Sequence, residues 1–276
     1  MRASRLFLAS LAASTVLAAP AQAARVLAPH RAVYDLSLKD ASDRSGITGL
    51  SGRMVYEFNG SACEGYTVTF RFVSRIQTQD ASRMSDQQTT TFEEGDGKLF
   101  SFVTKSYMDQ ELEKEVRGTA TRDDKGLNVE LTRPDIEEIE LQSTQFPTQH
   151  LMQLIDKANA GETFYETTLF DGSEDANEVM TTTIVVGKPV APAGNDPELP
   201  KLQSLSKDRF WPVDIAYFGK PDDETEPGEE LPQYRISFKL HENGLTRDLV
   251  MDYGDFSMTG KLVDLSLFEP AKPCSN

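Results

Sequence analysis

The sequence predicts an all-β protein with one central helix, built as a large curved antiparallel sheet. Three observations carry that reading. Apolar residues alternate with polar ones at period two along most of the chain, which is the signature of half-buried strands. Turn signals fall between these runs at Asn59-Gly60, Gly95 to Gly97, Asp123 to Gly126, Asp171-Gly172 and Asn243-Gly244. One segment alone, Pro147 to Ala160, switches to helical spacing.

The elements follow in order. Ala32, Tyr34, Leu36 and Leu38 alternate with Arg31, Asp35 and Ser37, and Met54, Tyr56 and Phe58 form a second set. Tyr66, Val68, Phe70 and Phe72 alternate against Thr67, Thr69 and Arg71. Thr89 to Phe92 and Thr181 to Val186 are Thr-rich and suit a pleated surface. Leu127, Val129 and Leu131 make a further strand. Tyr234, Ile236, Phe238 and Leu240 lead through Asn243-Gly244, a type I′ hairpin signal, to Leu245, Leu249, Met251 and Tyr253. Within the helical segment, Leu151, Leu154, Ile155 and Ala158 recur at i, i+3, i+4 and i+7. Pro147 suits its first turn and Gly161 its end. A lone helix in a β protein buries its apolar stripe against the concave face of the sheet. A sheet of about a dozen strands curls into a barrel, half-barrel or spiral rather than staying flat.

The N-terminus reads as an export signal. Arg2 and Arg5 form a basic region, Leu6 to Ala19 an apolar one, and Ala21-Gln22-Ala23 a cleavage site. Residues 1–23 are therefore expected to be removed, leaving 24–276 as one β domain in the periplasm. Ala24, not Cys, follows the cleavage site, so no lipid anchor is expected there, and the mature chain is expected to be a soluble monomer. Removing Arg2 and Arg5 leaves 26 basic against 44 acidic side chains, formally −18. That balance argues against nucleic acid and anionic membrane surfaces, which require clustered Lys and Arg. In an oxidising compartment the two cysteines, Cys63 and Cys274, read as a disulfide, since one pairing alone exists within the chain.

Searching for chemistry yields little. His30, His150 and His241 show no metal-ligand spacing with one another and read as buried or surface polar groups. Ser204-x-x-Lys207 matches the serine–lysine acylase pattern, but the companion Ser-Asp-Asn and Lys-Thr-Gly elements are missing. A periplasmic hydrolase would have to rest on that pair. Asp171-Gly172-Ser173-Glu174-Asp175 places its acids off the positions of a calcium loop and reads as a solvated turn. The chain therefore implies neither a cofactor nor a catalytic set. Gly187 to Pro200 and the acidic 222–230 stretch read as loops. The aromatic run Phe210 to Phe218 holds the single Trp and reads as core. In an open sheet, Trp211, Tyr217 and Phe218 become the candidate cavity lining, beside Leu151, Leu154 and Ile155 of the helix.

Five features together resemble one family. They are Ala28-Pro29-His30-Arg31-Ala32-Val33-Tyr34-Asp35-Leu36, Phe146-Pro147-Thr148-x-His150, Leu169-Phe170-Asp171-Gly172-Ser173, Arg209-Phe210-Trp211-Pro212-Val213, and the two cysteines. Residues 25–276 are similar to the bacterial cell-envelope-integrity EipB family, long carried as a domain of unknown function. The resemblance implies a spiral-like open β-barrel with the helix at its centre and a disulfide at the positions of Cys63 and Cys274. It further implies a soluble periplasmic protein of α-proteobacterial type, without established enzymatic activity. The architecture is similar to periplasmic lipoprotein carriers, so the partners to expect are envelope proteins or an apolar ligand.

The disulfide reading predicts that thiol titration of the denatured, non-reduced mature chain finds no free thiol. Cys63→Ser is expected to cost about 2–5 kcal/mol of stability. Two titratable thiols per chain would refute it.

Overall fold

The computed structural model of the protein describes residues 27–219 and 231–270. The signal segment, Cys274 and the acidic 222–230 stretch lie outside the described residues. The alternating runs form strands β1 His30–Ala41, β2 Ile47–Ser61, β3 Gly65–Thr78 and β4 Ser82–Glu93. They continue as β5 Leu99–Met108, β6 Glu111–Arg122, β7 Leu127–Arg133 and β8 Glu137–Leu141. Helix α1 then spans Pro147–Ala160, as its periodicity predicts, and Gly161 ends it in the left-handed conformation. After it come β9 Phe164–Leu169, β10 Met180–Val186 and β11 Phe210–Phe218. The last three are β12 Tyr234–His241, β13 Thr246–Asp252 and β14 Phe256–Leu267.

All fourteen strands form one sheet in the order β8-β7-β6-β5-β4-β3-β2-β1-β14-β13-β12-β11-β10-β9. Every ladder is antiparallel. Strands pair with their neighbours in sequence except across β8 and β9, and β1 pairs in addition with β14, Ala32 opposite Leu265 and Leu36 opposite Gly260. The two unpaired edges, β8 and β9, are thus consecutive in the chain, with α1 between them. The sheet curls but does not close, and the spiral-like open barrel is the observed architecture.

The connection from β8 to α1 spans the gap in place of a ladder. Gln145 bridges Leu169, and the Phe170 N–H donates to the Gln145 carbonyl at 3.0 Å. Arg122 donates to the Thr144 carbonyl at 2.9 Å and lies over the Phe146 ring at 5.5 Å. Beneath this seam, Phe100 stacks on Phe146 at 5.1 Å and meets Phe170 edge-on at 6.3 Å. Gly172 has φ 69° and lies so close to Phe102 that a Cβ would come within 2.6 Å of the ring. No other residue type fits both constraints.

A second contact fixes the helix. Pro147 has no N–H, and the next two N–H groups, of Thr148 and Gln149, donate to the carboxylate of Glu93 at 2.7 and 3.1 Å. His150 makes the first intrahelical bond, to Phe146, so every N–H from Pro147 onward is satisfied. Phe146 at the N-cap offers no polar side chain. The cap comes instead from the end of β4, 55 residues earlier. An anion there also meets the positive end of the helix dipole. Burial raises the Glu93 carboxyl above its ordinary range, against the pull of these donors.

The helix stripe packs as its spacing requires. Leu154, Ile155 and Ala158 share a buried cluster with Phe58, Tyr66, Tyr165, Ile184, Trp211 and Leu240. These partners lie toward one end of their strands: Phe58 and Tyr66 flank the β2–β3 hairpin, Trp211 begins β11 and Leu240 falls near the close of β12. The helix therefore plugs one end of the barrel. Cys63 sits in that same hairpin turn and is disulfide-bonded.

Leu154 is 1 % exposed, so Leu154→Ala is expected to destabilise the fold by about 2–5 kcal/mol in urea unfolding. A change below about 0.5 kcal/mol would contradict the docking of the helix. His150 is buried against β10, where the Thr182 hydroxyl donates to the Thr167 carbonyl and is left to accept from His150 Nε2 at 3.2 Å. Burial lowers the pKa of His150 from 6.5 to about 4. Its contribution to stability is therefore complete above 6.5 and lost as pH falls toward 4. The loss is expected to approach about 3 kcal/mol. His150→Gln should flatten that part of the stability–pH curve, and an unchanged curve would refute the assignment.

Candidate functional site

Beyond the helix, the other end of the barrel is open. A cavity of about 880 Å³ occupies the concave face there. Its floor is apolar: Met54 from β2, Phe70 and Phe72 from β3, Ile236 and Phe238 from β12, and Leu249 and Met251 from β13. The register places them side by side, with Met54 opposite Phe72 and Ile236 opposite Met251. Alternation turns each of these side chains to the inner face. Phe70, Phe72, Ile236 and Phe238 are half-buried, and of the four only Phe238 also packs against the helix cluster.

Tyr234 and Tyr253 line one wall and belong to an aromatic row. Tyr217, Tyr234, Tyr253 and Phe256 stack in sequence across β11 to β14, with ring centroids 4.3, 6.1 and 5.1 Å apart. Burial raises the phenols of Tyr217 and Tyr234, and the negative charge of Asp171 adds to it.

The opposite rim is acidic. The β9–β10 loop carries Asp171, Glu174, Asp175 and Glu178 to the cavity mouth. Asp175 is paired with Lys114 at 2.8 Å. Asp171 accepts from the Ser173 N–H at 2.8 Å, and burial raises its carboxyl. The arrangement can hold an apolar group on the floor and cationic groups at the mouth.

The six candidate lining residues fall elsewhere. Leu154, Ile155 and Trp211 pack together in the buried helix cluster, with Leu151 and Tyr217 at its margin. Trp211 also borders a separate cavity of about 680 Å³ near Asn159, Arg209 and Glu242. Tyr217 reaches the 880 Å³ cavity only through Tyr234, which it backs. Phe218 is one residue out of phase with the inward-facing Trp211, Val213, Ile215 and Tyr217, and so points to the outer face.

The cavity-lining residues that sequence reasoning missed include Met54, Phe70, Phe72, Ile236 and Met251. Period-two spacing marks them as inward-facing, but it does not separate core from cavity. The acids at Asp171 to Asp175, read as a solvated turn, form the rim. Ser204 and Lys207 are exposed on a short 3₁₀ turn, Gln203–Lys207, rather than opening a buried helix. Among the described residues, no group of three or more His, Cys, Asp or Glu is placed to hold a metal ion. No helix among them is long and apolar enough to cross a membrane.

Comparison with known proteins agrees with this architecture. The cell envelope integrity protein EipB of Brucella abortus (strain 2308) is 56% identical over 256 residues, covering 92% of this chain and 89% of that one. A crystal structure described as a beta-barrel-like protein of domain of unknown function DUF1849, from Brucella abortus, superposes with a TM-score of 0.85. Its sequence is 55% identical, and the match covers 89% of this chain and 100% of that one. The EipB-like family matches residues 21–269, and with an envelope-integrity relative at this identity, the chain belongs to that family.

Proposed function

We propose that the protein is a non-catalytic periplasmic binding protein that supports envelope integrity by holding an apolar, positively flanked segment of an envelope protein in its open end. The observation that carries this reading is the pairing of an apolar floor with an acidic mouth in one 880 Å³ cavity. A volume of that order suits a few apolar side chains or a short acyl chain. The mouth chooses between them. Free fatty acids and anionic phospholipids would bring negative charge to Asp171, Glu174 and Glu178, and like charges juxtaposed oppose binding. A segment with Lys or Arg beside its apolar residues meets complementary charge. Three methionines, Met54, Met180 and Met251, line the cavity, and flexible thioethers adapt to varied apolar shapes. Export, with cleavage after Ala23, and the Cys63–Cys274 pairing belong to the same proposal. Both suit a protein that works outside the cytoplasm.

A fluorescent Leu/Lys amphipathic peptide, its Leu/Glu counterpart and laurate test the reading by anisotropy and competition. The Leu/Lys peptide is expected to bind saturably, and more weakly as salt rises. Glu174→Gln with Glu178→Gln should weaken it about tenfold, roughly 1.4 kcal/mol. Ile236→Asp, which puts a charge on the floor, should abolish it in a chain that stays folded by circular dichroism. Tighter binding of laurate, or equal binding of both peptides, would overturn the charged-segment reading. Failure of all three to bind would overturn the cavity itself.

A further inference from the structure

The loop that follows β10 is a strap rather than a free connection. Residues 187–209 leave the end of β10, contact Phe210 through Val190, and run over β13 and β14 before entering β11. Leu202 is fully buried in the cluster that holds Leu245, Leu262 and Leu265, and Leu199 and Leu205 pack beside it.

What anchors the strap is ionic. Arg247 of β13 is 0 % exposed, and one of its terminal nitrogens donates to Asp196 at 2.8 Å and Glu198 at 3.0 Å, both on the strap. The other Glu198 oxygen accepts from the N–H groups of Asp248, at 3.2 Å, and Leu262, at 2.8 Å. The β13–β14 ladder stops at Leu249–Gly260, so the strap supplies the acceptor that the ladder lacks. Asp248, with φ 53°, lies where the β12–β13 register shifts between Arg247 and Val250. Lys239 of β12 reaches Asp196 at 3.1 Å and Asp248 at 3.0 Å, and Lys261 of β14 also pairs with Asp248.

His241 completes the cluster. Arg247 Nε donates to His241 Nε2 at 3.0 Å. A guanidinium N–H only donates, so this nitrogen of His241 carries a lone pair and the ring is neutral. The Phe210 ring lies 6.1 Å from His241 and 5.0 Å from the Arg247 guanidinium. The ionic groups around His241 balance: Arg247, Lys239 and Lys261 against Asp196, Glu198 and Asp248. A proton on Nε2 would turn the acceptor into a donor facing another donor. It would also add one uncompensated positive charge beside a buried guanidinium, an arrangement that is costly away from water. The Nδ1 atom of His241 and the second terminal nitrogen of Arg247 are buried without partners, so no spare acceptor stands ready.

We propose that the strap is an acid-released latch, in which protonation of His241 breaks its bond to Arg247, loosens the Arg247–Asp196–Glu198 junction and frees residues 190–208 from the sheet. Release exposes Leu199, Leu202 and Leu205 together with the face they cover, giving the protein an apolar surface that is absent at neutral pH. Burial, and then the charge of Arg247, hold His241 at about 4, so the latch answers to strong acid rather than to small excursions. Asp196 is held lower, at about 2, and stays ionised while His241 charges.

Hydrogen exchange on the full mature chain tests this. The strap amides of Lys201, Leu202 and Leu205, which donate within the strap, are expected to lose at least about tenfold in protection between about pH 7 and pH 4, after correction for intrinsic exchange. Amides of β2 and β3 report global opening, to which His150 contributes in both proteins, and at each pH they should stay better protected than the strap. His241→Gln, whose side-chain oxygen accepts from Arg247 but does not titrate, should keep the strap protected in acid. His150, which charges in the same range at the helix, is retained in both proteins. Strap protection that ignores pH, or an equal loss in His241→Gln, would overturn the proposal. Should that variant fail to fold at neutral pH, the His241 ring is followed by NMR in the unaltered chain. A ring midpoint separated from strap opening by more than about one pH unit would overturn it equally.

Discussion

A long antiparallel meander must either pair its two edge strands or cover them, because unpaired edges recruit other chains. In this protein the edges are consecutive in the chain, and α1 lies between them. The pairing of β1 with β14 takes up both ends of the described chain, so the opening falls at mid-chain, where the helix is. Everything else follows from that placement. The helix cannot add to the sheet, so it turns inward, and Glu93 receives its N-terminus from the opposite wall. Once docked, it occupies one end of the barrel and holds the curl open at the other. The β8 edge carries Glu137, Glu138 and Glu140, charges that deter a further strand.

How much of this was legible in the sequence depends on the range of the interaction. Alternation in Tyr66 to Phe72 and the spacing of Leu151, Leu154 and Ile155 are local, and both gave the observed elements. The helix bounds were readable because Pro147 and Gly161 act through their own backbone. Its cap was not, since Glu93 lies far off in sequence and resembles any other acid in a strand. The same holds for the strap. Gly187 to Pro200 has the composition of a loose loop, and nothing nearby announces that Asp196 and Glu198 meet a buried Arg247. The cavity failed for a different reason. Trp211 and Ile236 both sit in alternating apolar strands, and only the placing of α1 puts Trp211 in the helix cluster while Ile236 borders open space.

The division of the barrel also resolves a conflict inherent in the sequence. One helix in a concave sheet suggests a filled interior, whereas an open curl suggests a ligand site. The structure has a packed interior at one end and an open cavity at the other. The filled end supplies rigidity through packed Leu154, Ile155, Trp211 and Leu240. The open end leaves Phe70, Phe72, Ile236 and Phe238 half-buried, apolar surface that would be stabilised by being covered. The acids of one loop stand at the mouth of that surface, where under the proposed function they would favour cationic over anionic occupants.

That one end is packed and the other open is the central claim, and methyl NMR with a dissolved paramagnetic probe measures it directly. Methyl-labelled protein is titrated with a small neutral nitroxide, and the relaxation of each methyl group is followed. The account predicts strong relaxation enhancement at Ile236, Leu249 and Met251, and little at Leu154, Ile155 and Ile184. Equal enhancement in the two sets would mean that the helix does not seal its end. Equal protection would mean that no cavity exists, and either result would contradict the account.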